Sequence, residues 1–352
     1  MAQGVASTPA LQQEYREQNG PSDQGLPHKR EPHRHTYGAI DLGTNNCRLL
    51  IARPTEGGFT VIDAFSRIVR LGEGLSRSGE LSGEAMDRAI GALSVCADKL
   101  RRRNVSLSRS VATEACRRAT NGREFAERVR DRTGIALDII EPVEEARLAV
   151  LGCHKLLEPG DGPALIFDIG GGSTELVLID QEDGTPRIRA WWSAPWGVVS
   201  LTESEGKEAL EGSDRLQAYS RMRERARRSF ANFKKMLPEK REGIRLLGTS
   251  GTVTTLASVH LALPCYDRRA VDGLHVPIEA MQKISGMIAG MDYEERSSLP
   301  CIGNERADLV VAGCAILEAI MEIWPAKNLG VADRGIREGI LRSLMARDGW
   351  EL

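Results

Sequence analysis

The stretch Phe167-Asp168-Ile169-Gly170-Gly171-Gly172-Ser173-Thr174-Glu175 constrains this chain more than any other. It lies between two apolar runs, 164–167 and 176–179. It therefore reads as a strand that ends in an acid, turns through three glycines and a serine, and leaves as a second strand. Backbone N–H groups in such a turn can close on phosphate oxygens, because glycine has no Cβ to clash there and permits positive φ. The acid can hold a divalent cation that bridges to the same oxygens. A near-copy, Ile40-Asp41-Leu42-Gly43-Thr44-Asn45-Asn46, stands far upstream. Two such turns in one chain predict two related halves facing each other across a phosphate site.

Length and composition narrow the setting. A chain of 352 residues is long for a single core, so two domains are expected. Hydrophobic content of 41% and charged content of 27% belong to an ordinary soluble globular protein. The net charge of −2 argues against a dedicated nucleic-acid binder while leaving room for a local basic surface. No apolar run approaches the roughly 20 residues of a membrane span, and the N-terminus lacks the apolar segment of a signal peptide. The seven cysteines are scattered without CxxC spacing, which reads as reduced thiols in a cytoplasm, with no disulfide framework and no zinc site.

Residues 1–35 are rich in Gln, Gly, Pro, Glu and His without hydrophobic period, the signature of a disordered tail. His28, His33 and His35 there read as part of a solvated tail more readily than as a metal cluster. Strands are expected at 37–41, 46–53 and 59–69, then a helix capped by Ser82 and running to about residue 103. A short strand at 111–116 precedes a helix that begins with a capping-box-like Asn121 and Glu124 and stops at Gly134. A strand at 137–141 leads to Pro142, which suits the first turn of a helix carrying Glu144 and Glu145. The second half repeats the logic with strands at 164–168, 174–180 and 187–193 and a helix at about 214–237. That helix sets apolar residues at three- and four-residue steps. Its other face carries Arg221, Arg223, Arg225, Arg227, Arg228, Lys234 and Lys235. Such a face is either solvated or a track for an anionic chain. A strand at 245–248, a helix to about residue 260, a long helix at 308–324, a strand at 328–333 and a helix at 335–347 close the chain. The alternation predicts an α/β fold in two lobes.

Four turns rich in glycine or hydroxyls follow predicted strands: 41–46, 170–173, 248–252 and Asp333-Arg334-Gly335. Any one alone is common punctuation. Together, at strand ends where α/β folds bind ligands, they point to a ligand with several phosphates. The candidates for its cradle are Thr44, Asn45, Gly170, Gly171, Gly172, Ser173, Gly248, Ser250, Gly251 and Thr252. Arg117 near a strand end can fork onto a phosphate, whereas Arg118 is the better candidate for an ordinary i,i+4 pair. One of Glu144 and Glu145 can orient or deprotonate an attacking water, and the residues alone fit either.

At this point the ordered motifs resemble the exopolyphosphatase/guanosine pentaphosphate phosphohydrolase (Ppx/GppA) phosphatases of the actin–hexokinase–Hsp70-like superfamily. The resemblance runs through Ile40-Asp41-Leu42-Gly43-Thr44-Asn45, Val69-Arg70-Leu71-Gly72-Glu73-Gly74-Leu75, Ala115-Cys116-Arg117 and Glu144-Glu145-Ala146-Arg147. It continues through the Asp168–Glu175 turn, Gly248-Thr249-Ser250-Gly251-Thr252, Arg306-Ala307-Asp308 and Arg334-Gly335-Ile336-Arg337-Glu338-Gly339. It implies an α/β fold of two ribonuclease-H-like (actin-like ATPase superfamily) domains with a cleft between them. The boundaries expected are 36–158 and 159–334, with the C-terminal helix 335–352 joining the first domain. It implies Glu145 as the residue that activates water, Arg117 on the reacting phosphate, and Asp168, Glu175 and Asp41 on Mg²⁺. The implied partners are inorganic polyphosphate or guanosine penta- or tetraphosphate, in a cytoplasmic homodimer that binds neither nucleic acid nor membrane.

The chain also departs from the family pattern. The first turn ends Thr44-Asn45-Asn46 where Ser-Asn-Ser is usual, and Pro142-Val143 replaces Ser-Gly before the glutamate pair. Thr113-Glu114 puts an acid where a small residue is usual, and near phosphates that acid would repel them or bind metal. Longer family members carry a C-terminal HD-type helical domain that helps bind long polyphosphate, and this sequence stops before one. Two other functions use the same turns: a non-catalytic sensor of polyphosphate or guanosine polyphosphates, and an actin-like ATPase or small-molecule kinase.

Overall fold

The computed structural model describes residues 35–160, 162–182, 185–239 and 243–350. The predicted 1–35 tail, with His28 and His33, therefore falls outside the described residues except for His35. The first sheet is built from β1 (Tyr37–Leu42), β2 (Asn46–Thr55), β3 (Gly58–Ile68), β4 (Leu107–Ala112) and β5 (Leu137–Ile139). Its order is β3-β2-β1-β4-β5, with β1, β2 and β3 pairing antiparallel and β4 and β5 parallel. The second sheet comprises β6 (Ala164–Ile169), β7 (Thr174–Glu182), β8 (Thr185–Ala194), β9 (Arg245–Thr249), β10 (His275–Pro277) and β11 (Asn328–Ala332). Its order, β10-β11-β9-β6-β7-β8, repeats that of the first sheet and adds β10 antiparallel at the edge. The two expected ribonuclease-H-like sheets are present, and each Asp-x-Gly turn joins the first and second strands of its sheet.

The helices that matter below are α1 (Gly83–Arg102), α2 (Glu114–Arg118), α3 (Gly122–Thr133), α4 (Pro142–Cys153) and α5 (Val198–Glu205). They continue with α6 (Arg215–Ser229), α7 (Gly251–His260), α8 (Ile278–Gly290), α9 (Val310–Ile323) and α10 (Ile336–Arg347). Helix α4 lies between the sheets. Leu148 and Ala149 pack with Ile336 and Ile340 of α10, while Ala146, Val150 and Cys153 pack on Ile166, Val177 and Ile179 of the second sheet. Helix α10 in turn covers Tyr37, Ala39 and Leu50 of the first sheet. The α4–α10 contact is made backbone to backbone: a Cβ on Gly339 would sit 2.0 Å from the Leu148 carbonyl oxygen, and one on Gly152 2.0 Å from that of Gly335. Among the described residues, no helix is long and apolar enough to cross a membrane.

Several local expectations need correction. The strand expected at 111–116 ends at Ala112, and Glu114 opens α2, whose last turn carries Arg117 and Arg118. An acid at the start and bases at the end complement the helix dipole and outweigh strand propensity in so short a piece. Asn121 does not close a capping box; its side-chain amide instead pairs with the Leu81 N–H and C=O at 2.9 and 3.0 Å. The 214–237 helix is interrupted after Ser229 and resumes at 231–234. Its basic face is paired, with Arg221 and Arg225 on Glu205, Arg223 on Glu318, and Arg227 and Arg228 on Glu224. These partners make it a solvated, charge-balanced face more than a free track.

Candidate active site

A cleft of about 130 Å³ opens where the two Asp-x-Gly turns meet. The first turn is tied to the segment after β3: Asn45 O accepts from Val69 and Arg70 N–H at 2.8 and 3.0 Å, and Thr44 O accepts from Gly72 N–H at 2.9 Å. A Cβ on Gly72 would strike Thr44 Cγ2 at 2.3 Å. The Val69–Leu75 motif therefore buttresses the turn. The second turn is held by α5, whose Val198 and Val199 N–H groups donate to Gly170 and Gly171 carbonyls at 2.9 and 2.8 Å.

The glycines are explained by close approach and not by dihedral freedom, since none of Gly43, Gly170, Gly171 and Gly172 has positive φ. A Cβ on Gly171 would lie 2.9 Å from Thr44 Cβ and 3.1 Å from Asn45 N, and one on Gly172 would lie 2.0 Å from Glu114 Oε2. The two turns can face each other this closely only without side chains between them.

Five acids converge here, Glu114 from the start of α2 among them. Asp41 and Asp168, at the ends of β1 and β6, line the cleft together with Glu145 from the first turn of α4. Glu145 is only 7% exposed, and burial pushes its carboxyl well above the ordinary range, with the Glu175 charge adding to this and Arg117 opposing it. Burial and then Glu175 raise Asp168 likewise. Burial raises Asp41 against the pull of Arg48 and Arg337. Glu175 is also raised by burial, opposed by hydroxyls of Ser173 and Ser193 that donate to its Oε1 at 2.7 and 2.9 Å. It stands behind the cleft wall, as does Arg117.

The alternatives left open by the residues separate here. Glu144 is taken up by Arg109 and Arg147, each at 2.7 Å, and Arg118 pairs with Glu114 in the i,i+4 manner. Arg117 Nη1 donates to Glu145 Oε2 at 3.1 Å and to the Ile140 carbonyl at 2.5 Å, fixing the position of Glu145. Thr44, Asn45, Gly170, Gly171, Gly172, Ser173, Ser250, Gly251 and Thr252 line the cleft. Gly248 does not: it lies within β9, where a Cβ would strike the Phe167 ring at 2.5 Å. The Ser250 hydroxyl accepts from Val253 N–H at 3.1 Å and caps α7, whose N-terminal amides open on the cleft and favour an anion.

Two cations in the site carried no role in the sequence reading. Arg48 and Arg306 line the cleft, and each brings a guanidinium nitrogen within 4.0 Å of the position a Gly251 Cβ would take. Arg306 also donates to Thr255 Oγ1 at 2.7 Å. Strand alternation held the signal for Arg48, which shares a face with Asn46 at the start of β2. Only the fold brings Arg306 here.

The donor set suits a hard cation. Asp41 and Asp168 offer oxygen alone, and burial, the largest cause of their raised carboxyls, disfavours the charged form unless a cation pairs with it. Among the described residues no three His, Cys, Asp or Glu side chains group closely enough to cage a metal. Mg²⁺ takes one or two carboxylates and fills its shell with water and phosphate oxygens, and Asp41 and Asp168 on the cleft wall are two such groups.

A model of the Ppx/GppA phosphatase family matches residues 50–348. Exopolyphosphatase 2 of Mycobacterium tuberculosis is 32% identical, over 87% of this chain and 97% of the relative. The guanosine-5'-triphosphate,3'-diphosphate pyrophosphatase of Aeromonas hydrophila is 27% identical over 89% of this chain, which spans 60% of that relative's length. The solved Ppx/GppA family member of Aquifex aeolicus superposes with a TM-score of 0.73 at 30% identity, over 90% of this chain and 99% of the other. An exopolyphosphatase structure from Cytophaga hutchinsonii, at 22% identity and a TM-score of 0.79, covers 90% and 99% and shares the fold.

Proposed function

The chain belongs to the Ppx/GppA phosphatase family, and from that premise we propose that it is a Mg²⁺-dependent phosphohydrolase acting on inorganic polyphosphate, guanosine pentaphosphate, or both. The reaction is attack of water on the terminal phosphorus. The bridging P–O bond breaks, orthophosphate leaves, and the shortened chain departs with the bridging oxygen. The observation that carries this reading is Glu145: a buried carboxylate with a raised pKa, fixed by Arg117 and opening on a cleft walled by two glycine turns.

A carboxyl held high is a stronger base once ionised, so Glu145 takes the proton of the attacking water at Oε1 or Oε2. Arg117 keeps Nη1 on Glu145 and on the Ile140 carbonyl, and so holds the base in position from behind the cleft wall. Asp41 and Asp168 would hold Mg²⁺, with Glu175 adding negative charge behind them. When bound, the ion would neutralise phosphate oxygens as charge builds on the leaving group. The Gly171 amide and the α7 N-terminus, with Arg48 and Arg306, take the rest of the chain, while the Gly170 N–H closes the turn on the Ser173 carbonyl at 3.0 Å. The same reading has a homodimer working in the cytoplasm, where thiols stay reduced; all seven cysteines are free.

The test is orthophosphate release with Mg²⁺ from short polyphosphate, long polyphosphate and guanosine pentaphosphate, side by side. Release from at least one of them is expected. No release from any of the three would end the proposal.

A further inference from the structure

Glu114 has a position that no step of the proposed hydrolysis uses. It opens α2 and lines the cleft. Its Oε2 accepts the Thr44 hydroxyl at 3.3 Å. The space that a Cβ on Gly172 would need lies 2.0 Å from the same Oε2 and 2.9 Å from Thr44 Oγ1. The hollow left by the last glycine of the second turn is thus filled by a carboxylate, and a hydroxyl of the first turn holds it there. The Glu114 side chain is 14% exposed, and its ion-pair partner Arg118, one helical turn on at 3.5 Å, is 43% exposed.

A carboxylate offers these donors the same negative charge and acceptor oxygens that a phosphate would. Both cannot share the hollow, because like charges at contact distance repel strongly where water is thin. Arg118 already holds the other oxygen, Oε1, at 3.5 Å while Oε2 accepts from Thr44, so it can keep the carboxylate when the Thr44 contact is given up.

We propose that Glu114 is a specificity-determining residue that competes with the phosphate chain. Its carboxylate takes the anion position between Thr44 and Gly172, and a phosphate group enters as Oε2 leaves Thr44 and the carboxylate stays on Arg118 alone. The proposal rests on the phosphohydrolase reading and deepens it. Small anions with few other contacts are penalised most, and chains long enough to reach Arg48 and Arg306 as well offset the penalty.

The test is calorimetric binding of sodium tripolyphosphate without Mg²⁺, so that no turnover intervenes. Glu114→Gln should tighten binding roughly tenfold, the scale of one charge-assisted contact. Glu114→Ser, which removes both charge and reach, should do the same. Arg118→Gln should weaken binding to the wild-type background and have no effect beside Glu114→Gln, a coupling that only a shared Glu114 state produces. Unchanged or weaker binding in both Glu114 variants overturns the proposal, as does an equal Arg118→Gln effect in both backgrounds. A wild type that binds tripolyphosphate yet hydrolyses nothing with Mg²⁺ sinks the hydrolase reading alone, and the binding comparison still decides the role of Glu114.

Discussion

Gly339→Ala tests whether the fold holds Glu145 through the contact between α4 and α10. The added Cβ would lie 2.0 Å from the Leu148 carbonyl oxygen, 2.8 Å from its carbon and 3.0 Å from its Cα, where ordinary contact begins at 3.4 Å. The helices must therefore separate by 3.4 − 2.0 = 1.4 Å, and both sides of the contact are backbone, which cannot turn aside. Overpacking of this kind costs about 1–3 kcal/mol, and obstruction by backbone puts it near the upper end. Alanine returns about 1 kcal/mol of helix propensity, leaving a net loss of about 2 kcal/mol. That loss should lower the melting temperature by about 3 °C. The functional effect should exceed the thermal one. Leu148 lies three residues from Glu145 on α4, so a shift above 1 Å carries the carboxylate away from its water and should cost roughly 100-fold in turnover. The control is Gly286→Ala on the exposed side of α8, where a Cβ meets nothing within 4 Å. Thermal melts and phosphate release on both variants provide the assay. A Gly339→Ala enzyme with wild-type melting and turnover would refute the claim that this crossing positions Glu145.

Two further outcomes follow from the electrostatics. Glu145 has a folded pKa raised above its unfolded value, so the folded state binds the extra proton in the window between the two, and stability falls as pH rises from the ordinary glutamate range through the raised value. Glu145→Gln should therefore be more stable than wild type by about 1–2 kcal/mol at neutral pH, and should lose that advantage and melt with wild type at a pH below the ordinary glutamate pKa; melts at the two pH values check it. Arg48→Gln removes the cation that opposes the rise of both Asp41 and Asp168. It should raise KM about 10- to 100-fold, as loss of a charged hydrogen bond does, and flatten the salt dependence of KM in steady-state assays.

Much of the frame was legible because it is written in local periods. The apolar runs on either side of Asp41 and Asp168 gave the strands, Ser82 and Gly134 marked helix ends through their side-chain and backbone preferences, and Pro142 marked the start of α4. Helix α2 escaped because five residues carry too little periodicity to outvote the β-like run before them. The site was legible to the extent that its residues sit on the turns themselves. The residues alone fit Glu144 or Glu145, the family resemblance points to Glu145, and the fold gives the physical difference: Arg109 and Arg147 claim Glu144, and Arg117 claims Glu145. Gly171 and Gly172 read from sequence as positions that exclude a Cβ, and they do exclude one, though without positive φ: what a Cβ would meet is Thr44, Asn45 and Glu114 of the opposite turn and α2, contacts made across more than 50 residues of chain. Gly248 looked like part of a cradle because it precedes a hydroxyl-rich turn, yet it is a packing glycine under Phe167.

The measurement that bears most directly on Glu145 as the residue that activates water is a single turnover in ¹⁸O-labelled water with Mg²⁺, with the products read by mass. The account predicts one solvent oxygen in the released orthophosphate and none in the shortened chain, with the rate falling by at least ~100-fold in Glu145→Gln. Solvent oxygen in the shortened chain, or a Glu145→Gln enzyme that releases labelled orthophosphate at the wild-type rate, would contradict it.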